Sequence, residues 1–438
     1  MRTGRTGEPL RVFMLGWEFP PFISGGLGTA CYGLTKAMDQ LGIQVTFVLP
    51  RAVGSRYATH VKLLTPESGT SYRYPQTAFR HVRFYAIPAH LQPYARPDAR
   101  SMRLQQILQQ KGLEHVRAAV GTPEVAPEAM HYAGDMFTQV QRYAALVAEL
   151  ASEEEFDLIH AHDWMTFPAG IAAAAVTGKP LIVHVHSTEF DRSGEHVNQR
   201  IYDIERAGME RADKVITVSY YTRNIIISRY GIPASKVEVV YNAVEGNGGW
   251  PLSGTGIKRD EKIVLFLGRI TMQKGPEYFL MAAKKVLEVM NGVKFVMAGS
   301  GDMLHRAVSM AAELGIGHKV LFTGFLRGEE VRQIYRMADV YVMPSVSEPF
   351  GIAPLEALEN DVPVIISKQS GVAEVLNHAL KVDFWDVNEI ANKIVAVLRY
   401  PALRMTLRDY GNFEVKKLRW QDSARRCLRI YEQMLVPV

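Results

Sequence analysis

Cysteine is nearly absent: Cys31 and Cys427 are the only two in 438 residues, and they stand far apart. That excludes a disulfide framework and leads to the expectation of two reduced thiols in a cytoplasmic protein. No Cys/His grouping has the spacing of a structural zinc site. The longest apolar stretch, Ala-rich and near 167–176, falls well short of the ~20 residues of a membrane-spanning helix. The basic start, Met1-Arg2-Thr3-Gly4-Arg5, is followed by no apolar segment, so no secretory leader is expected. Charge of one sign is scarce too. A net +5 over this length is too small to argue for nucleic acid. It suits a cleft that receives an anionic nucleotide, or a peripheral contact with an acidic membrane surface.

What is present is a soluble globular composition, 47% hydrophobic and 22% charged, in a chain too long for one core. Two domains are therefore expected. Apolar strand-like runs alternate with helical periodicity from residue 12 to about 240, at 12–15, 43–48, 82–87, 156–161, 181–185, 215–218 and 237–240. Periodicity stops near Glu245-Gly246-Asn247-Gly248-Gly249-Trp250-Pro251, a composition typical of a linker over 245–256. A second run of strands follows at 263–267, 293–298, 320–322, 340–343 and 362–366. The pattern predicts two doubly wound α/β domains, 1–250 and 257–419, with a last helix over 420–438. Ligands of such sheets sit beyond the C-terminal strand ends, and every motif below falls at such an end.

Ser347-Glu348-Pro349-Phe350-Gly351-Ile352-Ala353-Pro354-Leu355-Glu356 places one carboxylate in a loop and another a turn into a helix. Between them, backbone amides at a helix start are free to hold an anion. Gly268-Arg269-Ile270-Thr271-Met272-Gln273-Lys274-Gly275 puts two cations on one loop directly after a strand. Such a pair can stabilise a leaving diphosphate. Gly25-Gly26-Leu27-Gly28 is a strand-to-helix loop but not a dinucleotide fingerprint. His160-Ala161-His162-Asp163-Trp164 and His184-Val185-His186 alternate, so each histidine pair shares a face of its strand. His160 and His184 read as core residues with satisfied partners. With no Cys or carboxylate at ligand spacing, no metal site is expected there.

The Glu-x7-Glu spacing of Glu348 and Glu356 resembles the signature of retaining GT-B glycosyltransferases, above all family 4 (GT4) and its glycogen-synthase-like relatives. The resemblance covers nearly the whole chain and is weakest over 51–135. It implies the GT-B fold, two Rossmann-like domains facing a cleft, with the 420–438 helix packed back on the first domain. It implies that Arg269 and Lys274 clamp the donor diphosphate and that Glu356 holds the ribose. Glu348 would lie near the transferred sugar, and the amides of Phe350, Gly351 and Ile352 would hold its hydroxyls and phosphate. Gly324 and Phe325 would edge the base, and Gly25, Gly26 and Gly28 would approach the phosphates from the first domain. His186 matches the family histidine near the anomeric carbon. His162 and Asp163 belong to a His-Asp-Trp triplet like that of glycogen and starch synthases, where the Asp faces the acceptor.

No Asp-x-Asp pair occurs, so the diphosphate charge falls to Arg269, Lys274 and helix dipoles, and no cofactor or metal is expected. The implied reaction is hexosyl transfer, glucose first, from an ADP-, UDP- or GDP-sugar to a glycan such as an α-glucan. Transfer of mannose or glucose to a lipid-linked or envelope glycan fits the second half equally. An inactive sugar-nucleotide-binding protein is the non-enzyme alternative. Lys416, Lys417, Arg419, Arg425 and Arg426 read as a solvated helix face, with acidic lipid as the other use.

Overall fold

The computed structural model describes residues 9–19, 25–50, 63–64, 80–86, 134–244 and 261–435. The expected linker at 245–256, most of 51–135 and the Pro20-Pro21 pair lie outside the described residues.

The first sheet has eight strands in the order β3-β4-β2-β1-β5-β6-β7-β8. They are β1 (Arg11–Leu15), β2 (Gln44–Leu49), β3 (Leu63–Leu64), β4 (Val82–Ala86), β5 (Leu158–His162), β6 (Leu181–Val185), β7 (Lys214–Thr217) and β8 (Val237–Val239). All pairings in it are parallel. The second sheet runs β11-β10-β9-β12-β13-β14, also parallel. Its strands are β9 (Lys262–Leu267), β10 (Val293–Ala298), β11 (Val320–Gly324), β12 (Val340–Met343), β13 (Val364–Ser367) and β14 (Leu380–Val382). Parallel strands need helical crossovers on both faces, so their residues are buried on both sides. β1 shows it: Val12 and Met14 join one core cluster, Phe13 and Leu15 the other. The sequence pattern missed β3 and β14, which are only two and three residues long.

The first-domain helices are α1 (Gly26–Gln40), α2 (Gly134–Glu153), α3 (Phe167–Thr177), α4 (Glu189–Ser193), α5 (Gln199–Arg211) and α6 (Tyr220–Tyr230). α1 begins at Gly26, inside the glycine run that reads as a strand-to-helix loop. No side chain of Gly25 caps it; the Glu18 carboxylate accepts from the Gly28 amide at 3.2 Å instead. The second domain carries α7 (Pro276–Val289), α8 (Leu304–Glu313), α9 (Glu329–Met337), α10 (Ala353–Glu359), α11 (Val387–Arg399) and α12 (Pro401–Val415). Then α13 (Trp420–Leu435) returns to the first domain and packs along α1. Contacts that hold it include the Tyr431 hydroxyl at 2.6 Å from His160 Nδ1, Ser423 Oγ donating to the Tyr241 carbonyl at 2.6 Å, Gln421 donating to Gln40 at 2.9 Å, and Arg426 paired with Glu238 at 2.6 Å. Cys31 and Cys427 are free and buried, and burial pushes the Cys427 thiol up to about 12. Among the described residues no helix is long and apolar enough to cross a membrane.

Gly33 on α1 faces the Trp420 indole at the start of α13. A Cβ there would meet the Trp420 indole at 2.3 Å. Gly-to-Ala within a helix normally gains ~0.5–1 kcal/mol. Here a rigid ring has no room to move, and overpacking costs about 1–3 kcal/mol. Gly33→Ala is therefore expected to lower the denaturant midpoint at an unchanged m-value. A rise in the midpoint would show that α13 does not press on Gly33 in solution.

Candidate active site

Loops at the C-terminal ends of β9, β10 and β11 interlock through glycine. The Gly268 amide donates to Ala298 O at 3.0 Å, and the Gly299 amide to Gly324 O at 2.8 Å. A Cβ on Gly299 would lie 1.8 Å from Gly268 O, and one on Gly301 2.1 Å from Ile270 O. Only bare backbone fits there, so the loop bearing Arg269 and Lys274 has a fixed path. At its far end Gly275 adopts φ +66°, and a Cβ would lie 2.1 Å from Pro344 O. Arg269 is half-buried. Lys274 forms an ion pair with Glu348. Phe325, beside Gly324, is exposed with the Arg327 guanidinium 5.2 Å from its ring.

Glu348 is 6% exposed. Besides Lys274, it accepts from Ser345 Oγ at 3.3 Å. Its amide donates to Gln369 O and its carbonyl accepts from Gly371, both at 2.9 Å. The chain then turns at Gly351, φ +100°, into α10. The amides of Phe350, Gly351 and Ile352 donate to no group among the described residues. One turn on, Glu356 accepts from the Tyr335 hydroxyl at 3.1 Å. Desolvation raises its pKa, opposed by that bond.

In the first domain the four histidines stack. His160 and His162 rings lie 4.4 Å apart at 17°, and His184 and His186 rings 4.2 Å apart at 25°. His160 Nε2 is 3.2 Å from His184 Nδ1, and His162 Nδ1 is 2.9 Å from His186 Nε2. Burial holds all four pKa values below the ordinary histidine value, His162 at about 3. The ladder is therefore neutral. Nitrogens of His160, His162 and His184 come within 4.8 Å of one another, and His162 Nε2 and His184 Nε2 have no partner. His184 is thus only partly the satisfied core residue its sequence suggests.

Asp163 follows β5 in a left-handed conformation, φ 59°. That turn folds its carboxylate back onto the end of β6, where it accepts from the His186 amide at 2.7 Å and the Ser187 amide at 3.3 Å. Burial pushes its pKa up to about 7, against the pull of those two amides and Arg192.

The two sets of strand ends meet. Ser347, next to Glu348, donates to Asp191 on α4 and lies 2.9 Å from the Tyr221 hydroxyl. Pro349 O accepts from Ser219 Oγ at 2.6 Å and Thr222 Oγ1 at 3.3 Å. Glu374 takes the amides of Tyr220 at 3.0 Å and Tyr221 at 2.6 Å, at the start of α6, and the Tyr241 hydroxyl at 2.9 Å. The structure thus gathers Lys274, Glu348 and the Phe350–Ile352 amides into one second-domain site, and His162, Asp163 and His186 into one first-domain site. The Gly25–Gly28 loop meets Glu18 at its Gly28 amide, which the sequence reading did not foresee. Asp191, Tyr221 and Glu374 were also missed. The one available signal was Thr188-x-x-Asp191, a capping box that places a carboxylate at the start of α4.

Comparison with known proteins agrees with this geometry. Residues 108–246 match the model of Glycosyltransferase Family 4, and residues 253–412 that of Glycosyl transferases group 1. An uncharacterised glycosyltransferase of Methanocaldococcus jannaschii is 28% identical, over 97% of this chain and 98% of its own. A glycogen synthase of Mycobacterium tuberculosis is 24% identical, over 90% of this chain and 87% of its own. The HepE protein of Anabaena, solved with UDP and glucose, superposes with a TM-score of 0.67 at 18% identity, over 97% of this chain and all of its own. Two parallel Rossmann-like sheets, a carboxylate–lysine pair at the second and these two adjoining family matches lead to one conclusion: the chain is a GT-B glycosyltransferase of the family 4 kind.

Proposed function

We propose that this enzyme transfers a hexose, glucose first, from a nucleotide-sugar to a glycan acceptor such as an α-glucan, with retention and without a metal. The observation that carries the reading is the buried Lys274–Glu348 pair, tied to the first domain where its neighbour Ser347 donates to Asp191 on α4, the helix that follows β6. In this mechanism Arg269 and Lys274 take up charge as the bond from the anomeric carbon to phosphate breaks. Glu356 accepts the ribose hydroxyls, with the Tyr335 hydroxyl fixing its orientation. The free Phe350–Ile352 amides hold sugar hydroxyls and phosphate, and the Gly324–Phe325 loop borders the base. The acceptor oxygen forms its bond on the face the phosphate leaves, and its proton passes to the departing phosphate oxygen. No side chain is required as a covalent partner. The protein supplies position and charge.

Asp163 faces the acceptor side and His186 the sugar. His186 turns one ring nitrogen to His162, so the neutral ladder fixes its orientation. Transfer to a lipid-linked or envelope glycan is the second reading. Phe413, Lys416, Lys417, Arg419 and Arg425 form an exposed basic and aromatic face that favours it.

Three outcomes are expected. In EDTA, one of UDP, ADP, GDP or their glucose and mannose conjugates raises the melting temperature. UDP-glucose is the first to try, and the absence of any shift refutes the donor site. Arg269→Ala is expected to cost about 10²–10³ in kcat, as losing one oxyanion donor does; a change in donor affinity alone would instead mark a binding protein. Asp163 generates a pH test. The folded carboxyl ionises at about 7, against 3.8 ordinarily. Between those values the folded state binds the extra proton, so stability falls as pH rises through the window. Asp163→Asn should flatten that fall. Turnover that needs the carboxylate should rise through about pH 7 in the wild type and lose that step in Asp163→Asn.

A further inference from the structure

The residues on both sides of Glu348 are gripped by the opposite domain. Ser347 has one proton, which goes to Asp191. The Tyr221 hydroxyl, 2.9 Å away, therefore donates to Ser347 Oγ. The second Asp191 oxygen accepts the Thr188 amide and Thr188 Oγ1, both at 2.7 Å. Asp191 is 1% exposed, so its donors have to come from the protein. Three are present, and one of them belongs to the other domain. On the other side of Glu348, Pro349 O receives the Ser219 and Thr222 hydroxyls. Gly371 lies so close that a Cβ would touch Ser219 Cβ at 2.4 Å. The α4 segment also reaches the clamp loop, where a Gly194 Cβ would come within 3.9 Å of Met272 Cε.

We propose that Asp191 and Ser347 are positioning residues that couple domain closure to the orientation of Glu348. The proposal rests on the transferase reading above and deepens it. When the domains part, Ser347 loses Asp191 and Tyr221 together, and Pro349 O loses both hydroxyls. The Glu348 loop then keeps its own-domain contacts, among them those with Gln369, Gly371, Val372, Lys274 and Ser345. When the domains close, a buried carboxylate short of one donor draws in the Ser347 hydroxyl. The backbone that carries Glu348 is set at the same moment. Glu348 is thus in register with the donor sugar only when the cleft is shut and water is excluded.

The test uses Ser347→Ala, a small change that leaves Lys274, Arg269 and Glu348 in place, with Asp191→Ala and their double variant. The expected result is a kcat lower by about 10- to 100-fold, as misplacement of a reacting group gives, with nucleotide Kd by calorimetry unchanged within about twofold. Both single variants should lose a similar amount, and the double variant no more than the worse single, because they break one interaction. Additive losses, or a kcat within twofold of wild type, overturn the positioning role.

A second measurement does not depend on turnover. Val176 on α3 and Val308 on α8 are exposed and lie in different domains, and both native cysteines are buried. Spin labels on Val176→Cys and Val308→Cys report the distance between domains. Ser347→Ala should shift that distribution toward the open form in the presence of nucleotide. An unchanged distribution overturns the latch itself. If the wild type transfers no sugar from any donor, the transferase reading fails, and the distance measurement still decides whether Asp191 and Ser347 hold the domains closed.

Discussion

Glu348 is a carboxylate with almost no access to water. Burying an unpaired charge costs several kcal/mol, so its neighbourhood has to supply a cation and a donor. Lys274 and Ser345 do so. That requirement reaches outward. Lys274 can reach Glu348 only if its loop keeps one path, and the path holds only because glycine stands where it meets Pro344 O. The same chain makes Gly299 and Gly301 obligatory against Gly268 and Ile270. An apolar core sets the strands, but one buried acid sets the loops that end them.

The first domain answers the same problem differently. It meets burial with neutrality instead of pairing: four histidines stacked on two adjacent strands, each held below its ordinary pKa. Charging any one would place a cation among its neighbours without a carboxylate in the ladder. The nearest acid, Asp163, turns away from the rings to the His186 and Ser187 amides. It does so in a left-handed conformation that a non-glycine residue adopts at some cost. Strain at that point turns the carboxylate back onto the amides at the end of β6, which a regular strand could not do.

Much of this was legible in the sequence, for reasons tied to particular residues. Strands buried on both faces read as apolar runs, so β1, β6, β9 and β10 were found within a residue or so. The Arg269–Lys274 and Glu348–Glu356 spacings lie within single loop-to-helix units, where local chain geometry fixes what is near what. Contacts between domains left almost no trace. Asp191 and Ser347 are 156 positions apart, and Glu374 caps α6 from 154 away. Nothing periodic links such residues. Glu374 taking two amides at the start of α6 does in trans what an N-cap does locally, and single-sequence reasoning looks for a cap only in the preceding residues. The ring placement of His186 toward His162 was hidden similarly, because alternation gives a face and not a partner.

The kind of contact across the cleft matters as much as its number. Within each domain the cores are aliphatic and aromatic and closed to water. Across the cleft at the site the contacts are polar: the Ser219 and Thr222 hydroxyls on the Pro349 carbonyl, Glu374 on the α6 amides, and the Ser347 hydroxyl on the Asp191 carboxylate. A neutral bond of this kind contributes only about 0.5–1.5 kcal/mol net, and one to a carboxylate about 1.5–3 kcal/mol, since water replaces it when it breaks. Such contacts are individually weak and exchangeable with water. An apolar seal of the same area would shut the cleft for good. The permanent tie lies elsewhere, where α13 buries Trp420, Ala424, Cys427 and Tyr431 against the first domain. The helix thus ties the domains through buried apolar side chains, whereas the contacts beside Glu348 tie them through polar ones.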